Sequence, residues 1–265
     1  MCIGKAIAIT RRQGCRELVK RLGMRISFLY EKKHSPLTVS HLEAMRWFVR
    51  RKDRFERLIT AVGHYIRKDS VIFDIGANIG YFSLLLTEKF PFSGSVYLFE
   101  PVPHLAQLCR ITFRNSAFRA AVLNFGLSDQ DADENIFIAN DGNLGWNTLI
   151  SSMTRPGMTK VPVKLKAFAT CGVDVIPSFI KVDVEGAEYR VLGGMLDALR
   201  RWDPLPVILC EVGFGKNHPA WEEEIRVFME MEHLGYRMCD LDGVPVDVQG
   251  LNETTDVLFI PPKRD

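Results

Sequence analysis

The chain has 265 residues, of which 47% are hydrophobic and 25% are charged, and its formal net charge is +2. These values are typical of a globular protein with a sizeable core. No apolar run approaches the roughly 20 residues that span a bilayer, so no membrane-spanning helix is expected. The six cysteines form no C-x-x-C pair, so we expect free thiols and a cytoplasmic protein.

The charge is divided unevenly along the chain. Residues 1–70 hold 17 Lys and Arg against 6 Asp and Glu, whereas the remainder holds 17 against 26. We predict a basic helical N-terminal extension over residues 1–66, followed by a second domain over 67–265. The extension either contacts an anionic membrane surface or packs as a solvated face on the acidic domain. A capping box, Ser40-x-x-Glu43, and apolar residues at helical spacing predict one long helix over 41–66.

A glycine-containing turn follows this helix. Residues 71–75 have the β-rich apolar composition of a strand buried on both faces, and residues 79–90 continue at helical spacing. Gly76, Asn78 and Gly80 lie between them, and glycine permits positive φ and a close approach of a ligand to the backbone. The pattern predicts a cofactor site at the carboxyl end of this strand.

Asp74 distinguishes between possible cofactors. Dinucleotide-binding loops have the spacing G-x-G-x-x-G and hold a pyrophosphate, whereas this chain has D-x-G-x-N-x-G. A carboxylate in the crevice repels a pyrophosphate and attracts a cation. The methionine part of S-adenosylmethionine carries an ammonium and a sulfonium, so the spacing favours that cofactor over the NAD of a dehydrogenase.

The next strands supply the remaining cofactor contacts. Glu100 ends a buried strand over 95–99, where a carboxylate can accept hydrogen bonds from both hydroxyls of a ribose. A helix over 103–117 and a third strand over 120–125 follow. The loop after that strand, which contains Ser128 and Asp129, is predicted to border the adenine.

The alternation of strands and helices is interrupted at residues 128–168. Extra strands are expected over 135–139 and 161–168, on either side of a long polar loop, and such loops are usually functional or disordered. The alternation then resumes, with strands over 179–183, 206–212, 236–241 and 255–260 and helices over 187–200 and 221–234. The sequence thus predicts an α/β fold, a doubly wound, seven-stranded, mostly parallel Rossmann-like sheet with an antiparallel C-terminal strand.

Charged residues follow the fourth parallel strand. Period-2 alternation places Lys181, Asp183 and Glu185 on one face of it. One of the three is expected to act as general base on an acceptor hydroxyl. Alternatively, Asp183 and Glu211 hold Mg²⁺ or another divalent cation that orients the hydroxyl. For Glu188, in the first turn of a helix, an interaction with the helix dipole is sufficient explanation.

Taken together, these motifs resemble the FkbM family of S-adenosylmethionine-dependent methyltransferases, over roughly residues 71–260. The resemblance is carried by FDIGANIG at 73–80, FEP at 99–101, LSD at 127–129, FIKVDVEGAE at 179–188 and ILCEV at 208–212. Gly126 departs from the pattern, since an alanine commonly stands there. The resemblance implies O-methylation of a sugar, glycan or secondary-metabolite hydroxyl.

The resemblance also implies which residues bind the cofactor. The residues expected at its methionine, ribose and adenine parts are Asp74, Gly76, Ala77, Asn78, Gly80, Glu100, Pro101, Ser128 and Asp129. The expected partner is a small-molecule or glycan acceptor, with no specific nucleic acid. The alternative is a non-catalytic binding protein that retains the cofactor fold and uses its basic extension to bind an anionic membrane or a nucleic acid.

Overall fold

The computed structural model describes residues 35–263, so the first half of the predicted basic extension lies outside the described residues. Within the described part, no helix is long and apolar enough to cross a membrane. The predicted contact of residues 1–66 with an anionic membrane stays a prediction.

The described residues form eleven strands and six α-helices. The strands are β1 (Val71–Ile75), β2 (Ser95–Phe99), β3 (Arg119–Leu123), β4 (Gly126–Ser128), β5 (Ala132–Ile138), β6 (Asn147–Thr148), β7 (Thr159–Ala167), β8 (Phe179–Val182), β9 (Val207–Val212), β10 (Arg237–Cys239) and β11 (Thr255–Ile260). The helices are α1 (His41–Val49), α2 (Lys52–Val62), α3 (Tyr81–Lys89), α4 (Pro103–Phe113), α5 (Glu188–Leu199) and α6 (Trp221–His233).

Seven of the strands form the predicted doubly wound sheet, in the order β10-β11-β9-β8-β1-β2-β3. The five from β9 to β3 are parallel, and β11 is antiparallel to both β9 and β10. The chain progresses from β1 to β3 in one direction and from β8 to β9 in the other. The switch point therefore lies between β1 and β8, and ligands bind outside the carboxyl ends of such strands. The predicted fold class is confirmed.

A second sheet accounts for the interruption of the alternation. It has the order β4-β7-β5-β6, so the two extra strands predicted from the sequence pair with each other and recruit two more. One of the two is β4, which pairs in parallel with β7. The stretch predicted as a loop bordering the adenine is thus partly a strand, because its backbone groups find a partner in β7.

The single long helix predicted over residues 41–66 is wrong. The chain breaks at Arg50 and Arg51 into α1 and α2, and a 3₁₀ turn (Gly63–Tyr65) ends the segment. In one continuous helix Phe48 and Phe55 would be about 10 Å apart along the axis. The break brings their rings to 5.8 Å, and both pack on Tyr81 of α3, at 5.4 and 5.1 Å.

The helix pair, which we define as α1 and α2, is part of the same compact unit as the sheet, since that unit begins at Ser35. The Nε2 atom of His41 lies 3.0 Å from the hydroxyl of Thr112 in α4, and His104 of α4 contacts the Val39 carbonyl at 2.8 Å. The predicted domain boundary after residue 66 stays a prediction, and residues 35–66 belong to the same compact unit as the sheet.

Replacing Phe48 with alanine is expected to lower the free energy of unfolding by about 3 kcal/mol, because it removes a buried ring from the contact with Phe55 and Tyr81. Urea denaturation of the full chain measures the change. Leu42→Ala, on the same helix but 60% exposed, is the control and should change stability little. Equal effects of the two substitutions would show that α1 is not docked as described.

Candidate active site

The glycine loop, residues 76–80, makes the sharp turn that the sequence predicts. Gly76, Asn78 and Gly80 all have positive φ, at 77°, 54° and 78°, and α3 starts directly after Gly80. A Cβ atom at Gly76 would lie 1.9 Å from the carbonyl oxygen of Asp183. Glycine is therefore required at this position, since the loop passes directly against the segment that follows β8.

Glu100 lies beneath the glycine loop. Its side chain is buried, and its two carboxylate oxygens accept hydrogen bonds from the backbone N–H groups of Asn78 (2.8 Å) and Val102 (2.9 Å). Burial raises the pKa of Glu100 to about 7, and these two hydrogen bonds oppose the rise. The amide of Asn124 donates to the carbonyls of Glu100 and Pro101, both at 3.0 Å, which fixes the end of β2.

A cavity of about 390 Å³ opens beside the glycine loop. Six of the site residues predicted from the sequence line this cavity, and they are Gly76, Ala77, Asn78, Lys181, Asp183 and Glu185. The helix pair supplies most of the other lining residues, which are Trp47, Phe48, Arg51, Asp53, Arg54, Phe55 and Leu58, and Tyr81, Phe82 and Gly145 complete the lining. Sequence patterns assigned those helix residues to a basic arm and gave no signal that they face the site.

Several predicted site residues do not line this cavity. These are Asp74, Gly80, Glu100, Pro101, Ser128, Asp129 and Glu211. The hydroxyl of buried Ser128 donates to Asp129 at 2.9 Å, and Arg190 forms an ion pair with Asp129 at 3.1 Å. Burial alone would raise the pKa of Asp129, but the contacts with Ser128 and Arg190 lower it. The adenine contact predicted for Ser128 and Asp129 stays a prediction. The side-chain contacts that the structure shows for these two residues are with each other and with Arg190.

Asp74 is fully buried and already has a cation, supplied by the chain itself. The ammonium of Lys181 lies 3.4 Å from Asp74 and 3.2 Å from Asp183, and the hydroxyl of Ser83 donates to Asp74 at 2.7 Å. Asp74 was expected to attract the ammonium of the cofactor directly. Adjacent β1 and β8 place Asp74 and Lys181 opposite each other in register, so Lys181 lies beside this carboxylate, and the cofactor contact of Asp74 stays a prediction.

The general-base role predicted for Lys181 stays a prediction, but its ammonium is held between two carboxylates. Burial alone would lower its pKa, but the charges of Asp183 and Asp74 outweigh burial and raise the pKa above its ordinary value. The ammonium therefore stays charged at neutral pH. It fixes Asp183 at the edge of the cavity.

Asp183, Glu185 and Glu211 form the acidic rim, in which one carboxylate oxygen of each residue lies within 4.8 Å of the others. The structure corrects the reason for this proximity. β8 ends at Val182, so Glu185 does not share a strand face with Asp183. It reaches the rim because its backbone is left-handed, with a φ of 56°.

Proximity of like charges changes the protonation of the rim. Burial, together with the charge of Asp183, raises the pKa of Glu211 to about 8 and that of Glu185 well above its ordinary value. The guanidinium of Arg54 in α2 opposes the rise at Glu211, to which it is hydrogen-bonded, and lies 3.9 Å from Asp256 of β11. Glu211, one of the two predicted metal ligands, thus already has a cationic partner.

Glu188 stabilises the turn that carries Glu185. Its buried carboxylate accepts hydrogen bonds from the backbone N–H groups of Val184 (3.0 Å) and Gly186 (3.0 Å). Burial raises the pKa of Glu188 to about 7 against these bonds. The sequence suggested only an interaction of Glu188 with the helix dipole. A linear pattern does not show that the backbone N–H groups of the preceding turn point at this carboxylate.

The polar loop between β5 and β7 joins the glycine loop to the acidic turn. The Asn78 amide donates to the Leu144 carbonyl at 2.8 Å, and the Thr148 hydroxyl donates to the Glu185 carbonyl at 2.7 Å. Trp146 is buried, with the guanidinium of Arg155 3.7 Å from its ring centre, so its role is packing. The loop is therefore ordered by the two segments that form the site.

The sequence matches a known domain model, described as the methyltransferase FkbM domain, over residues 74–238. The chain is also 28% identical, over 165 residues, to hexuronic acid methyltransferase AglP of Haloferax volcanii, which covers 62% of this chain and 65% of that protein. The chain thus spans slightly less than two thirds of the length of this relative.

Solved methyltransferase structures resemble the chain at low identity. An O-methyltransferase of Bacillus cereus in complex with SAH has a TM-score of 0.46 at 12% identity and covers 96% of this chain and 95% of its own. A putative rRNA-methylase of Clostridium thermocellum has a TM-score of 0.47 at 9% identity and covers 78% and 94%. Both TM-scores are below 0.5, so the fold is assigned from the strand order of this chain and not from these structures.

Lys181→Met is expected to lower the free energy of unfolding by about 3–5 kcal/mol, because it leaves the buried charge of Asp74 without a partner. Adding Asp74→Asn should recover part of the loss, since the buried charge is then removed as well. Urea denaturation of both variants measures this. Lys164→Met, on the exposed side of β7, is the control, and a double variant no more stable than Lys181→Met would contradict the pairing.

Proposed function

Because the chain belongs to the FkbM family of methyltransferases, we propose that it transfers a methyl group from S-adenosylmethionine to a hydroxyl group of a sugar, a glycan or a secondary metabolite. The family model covers more than half of the chain, so the resemblance inferred from the motifs is confirmed. The proposal of a hydroxyl acceptor rests on the cavity, which is lined both by residues of the glycine loop and by residues of the acidic rim.

The residues of the glycine loop, together with Glu100, fit the cofactor. Gly76, Ala77 and Asn78 line the cavity, whose volume of about 390 Å³ lies in the range of small-molecule sites. The buried side-chain oxygen of Asn78 has no hydrogen-bond partner and can accept from a donor group of a ligand. Each oxygen of Glu100 accepts one backbone bond and retains a lone pair for a ribose hydroxyl. Bound S-adenosylmethionine supplies a methyl group on a positively charged sulfur.

The acceptor hydroxyl is placed at the acidic rim. Asp183 is partly exposed in the cavity and is oriented by Lys181, so it is positioned to accept the proton of the hydroxyl as general base. Glu185 is the second candidate, since it lines the cavity and lies beside Asp183 in the acidic rim. Lys181 keeps its proton and stabilises Asp183 throughout.

A divalent cation held by Asp183 and Glu211 is the alternative. Carboxylate oxygens are suitable ligands for Mg²⁺, and Asp183 follows β8 while Glu211 lies near the end of the adjacent β9. Such an ion would lower the pKa of the acceptor hydroxyl. It would also have to displace Arg54 from Glu211, which supports the version without metal.

A sugar acceptor is supported by the name of the relative, a hexuronic acid methyltransferase, and by the cavity wall. Trp47, Phe48 and Phe55 line the same cavity as Asp183 and Glu185. A cavity lined by both aromatic rings and hydrogen-bonding groups suits a ligand with an apolar ring face and hydroxyl edges.

Glu100→Ala is expected to weaken binding of S-adenosylmethionine by about 1.5–3 kcal/mol, the value of hydrogen bonds to a charged group. Calorimetry on the full chain measures the affinity for S-adenosylmethionine and for its demethylated product. Leu42→Ala, remote from the cavity, serves as the control. Tight binding of NAD without binding of S-adenosylmethionine would contradict the cofactor assignment.

Asp183→Asn is expected to lower kcat on the order of 10²-fold or more while cofactor affinity is nearly kept, because the variant is almost isosteric and cannot take a proton. The assay uses labelled S-adenosylmethionine with glucuronic acid, glucose and their aryl glycosides. A chelator should leave the wild-type rate unchanged. Loss of the rate with chelator and its return with Mg²⁺ would establish the metal alternative, and absence of transfer to every acceptor would contradict a sugar substrate.

A further inference from the structure

The acidic end of the central sheet holds more negative charge than Lys181 can compensate. Besides the three carboxylates of the acidic rim, Asp256 stands directly opposite Glu211 in the antiparallel register of β11 and β9. Carboxylates this close repel one another strongly in a partly buried setting. Lys181 is already committed to Asp74 and Asp183.

Arg54 supplies the missing cation from a different part of the chain. Its guanidinium is hydrogen-bonded to Glu211 and lies 3.9 Å from Asp256. The side chain of Glu211 is only 6% exposed and that of Arg54 is 56% exposed, so this contact is made at the edge of the core. A planar guanidinium presents several N–H donors and can bridge two carboxylates in a way that an ammonium cannot.

The position of Arg54 conflicts with a metal ion at the same place. An ion bound by the acidic rim requires an oxygen of Glu211, and the guanidinium occupies that carboxylate. Arg54 and a divalent cation are therefore competitors for one cluster of negative charge. Arg54 also lies outside the segment that matches the family model, which begins at residue 74.

The same contact fixes the wall of the cavity. Arg54 lines the cavity together with Phe55, its neighbour on α2, while Glu211 and Asp256 belong to the sheet. The pair thus holds α2 at one distance from Asp183, across the space where the acceptor is proposed to bind.

We propose that Arg54 is a positioning residue of the active site, which takes the place of a divalent cation among the carboxylates and holds the helix pair over the acceptor. The proposal that Arg54 excludes a divalent cation is argued from the contacts of Arg54 alone. The proposal that it holds the helix pair over the acceptor rests on the proposed methyl transfer.

The test is a titration of the full, chelator-treated chain with Mn²⁺, followed by electron paramagnetic resonance of the free ion. Wild type and the control Arg57→Met, one turn along α2, should show no saturable binding in the submillimolar range. Arg54→Met should bind Mn²⁺ at least about tenfold more tightly, since weak carboxylate sites have Kd values near that range. Adding Asp183→Asn to Arg54→Met should abolish the gain. Arg54→Lys, which keeps the charge, should still exclude the ion.

Kinetics provide the second readout. Arg54→Met should raise the acceptor KM or lower kcat several-fold with glucuronic acid or its aryl glycoside, while calorimetry with S-adenosylhomocysteine changes less than about twofold. Wild-type Mn²⁺ binding as tight as that of Arg54→Met would overturn the proposal, and so would a variant with unchanged Mn²⁺ binding and kinetics. If Arg54→Met fails to fold by circular dichroism, Arg54→Gln decides by the same titration. Failure of wild type to bind S-adenosylhomocysteine overturns the proposed function and leaves the Mn²⁺ result interpretable.

Discussion

The buried ammonium of Lys181 is the interaction on which the site depends. It lies between Asp74 on β1 and Asp183 after β8, the two strands that meet at the switch point of the sheet. Three charges inside a sheet are tolerated only when they compensate one another, since an unpaired buried charge costs several kcal/mol. This requirement fixes the register of β1 against β8. It also leaves Asp183 as the carboxylate of the group that lines the cavity, beside Lys181.

Hydrogen bonds connect the segments around Asp74, Lys181 and Asp183 to the rest of the site. Asn78 joins the glycine loop to Glu100 below it and to Leu144 in the polar loop, and Thr148 of that loop holds the turn at Glu185. The segments come from four distant parts of the chain, but each one limits the position of the next. Such support is what keeps reacting groups in a fixed geometry.

Compensation of charge also explains why the N-terminal helices belong to the site. The central sheet ends in more carboxylates than its own lysine neutralises, and the additional cation is Arg54 from α2. Aromatic rings of the same helix pair pack on Tyr81, the first residue of α3. Electrostatic and hydrophobic contacts thus act on the same two helices, which become one wall of the cavity.

The sequence by itself determined the fold class, the family and the glycine loop, because buried parallel strands, turn glycines and strand-end acids are local patterns. It could not show that Lys181 and not a ligand neutralises Asp74, because that depends on which strands become neighbours. The left-handed backbone at Glu185 and the contact of Arg54 with Glu211 were equally hidden. Their partners are brought together only when helices, strands and loops pack, and only the tertiary structure decided which charges are compensated internally and which face the cavity.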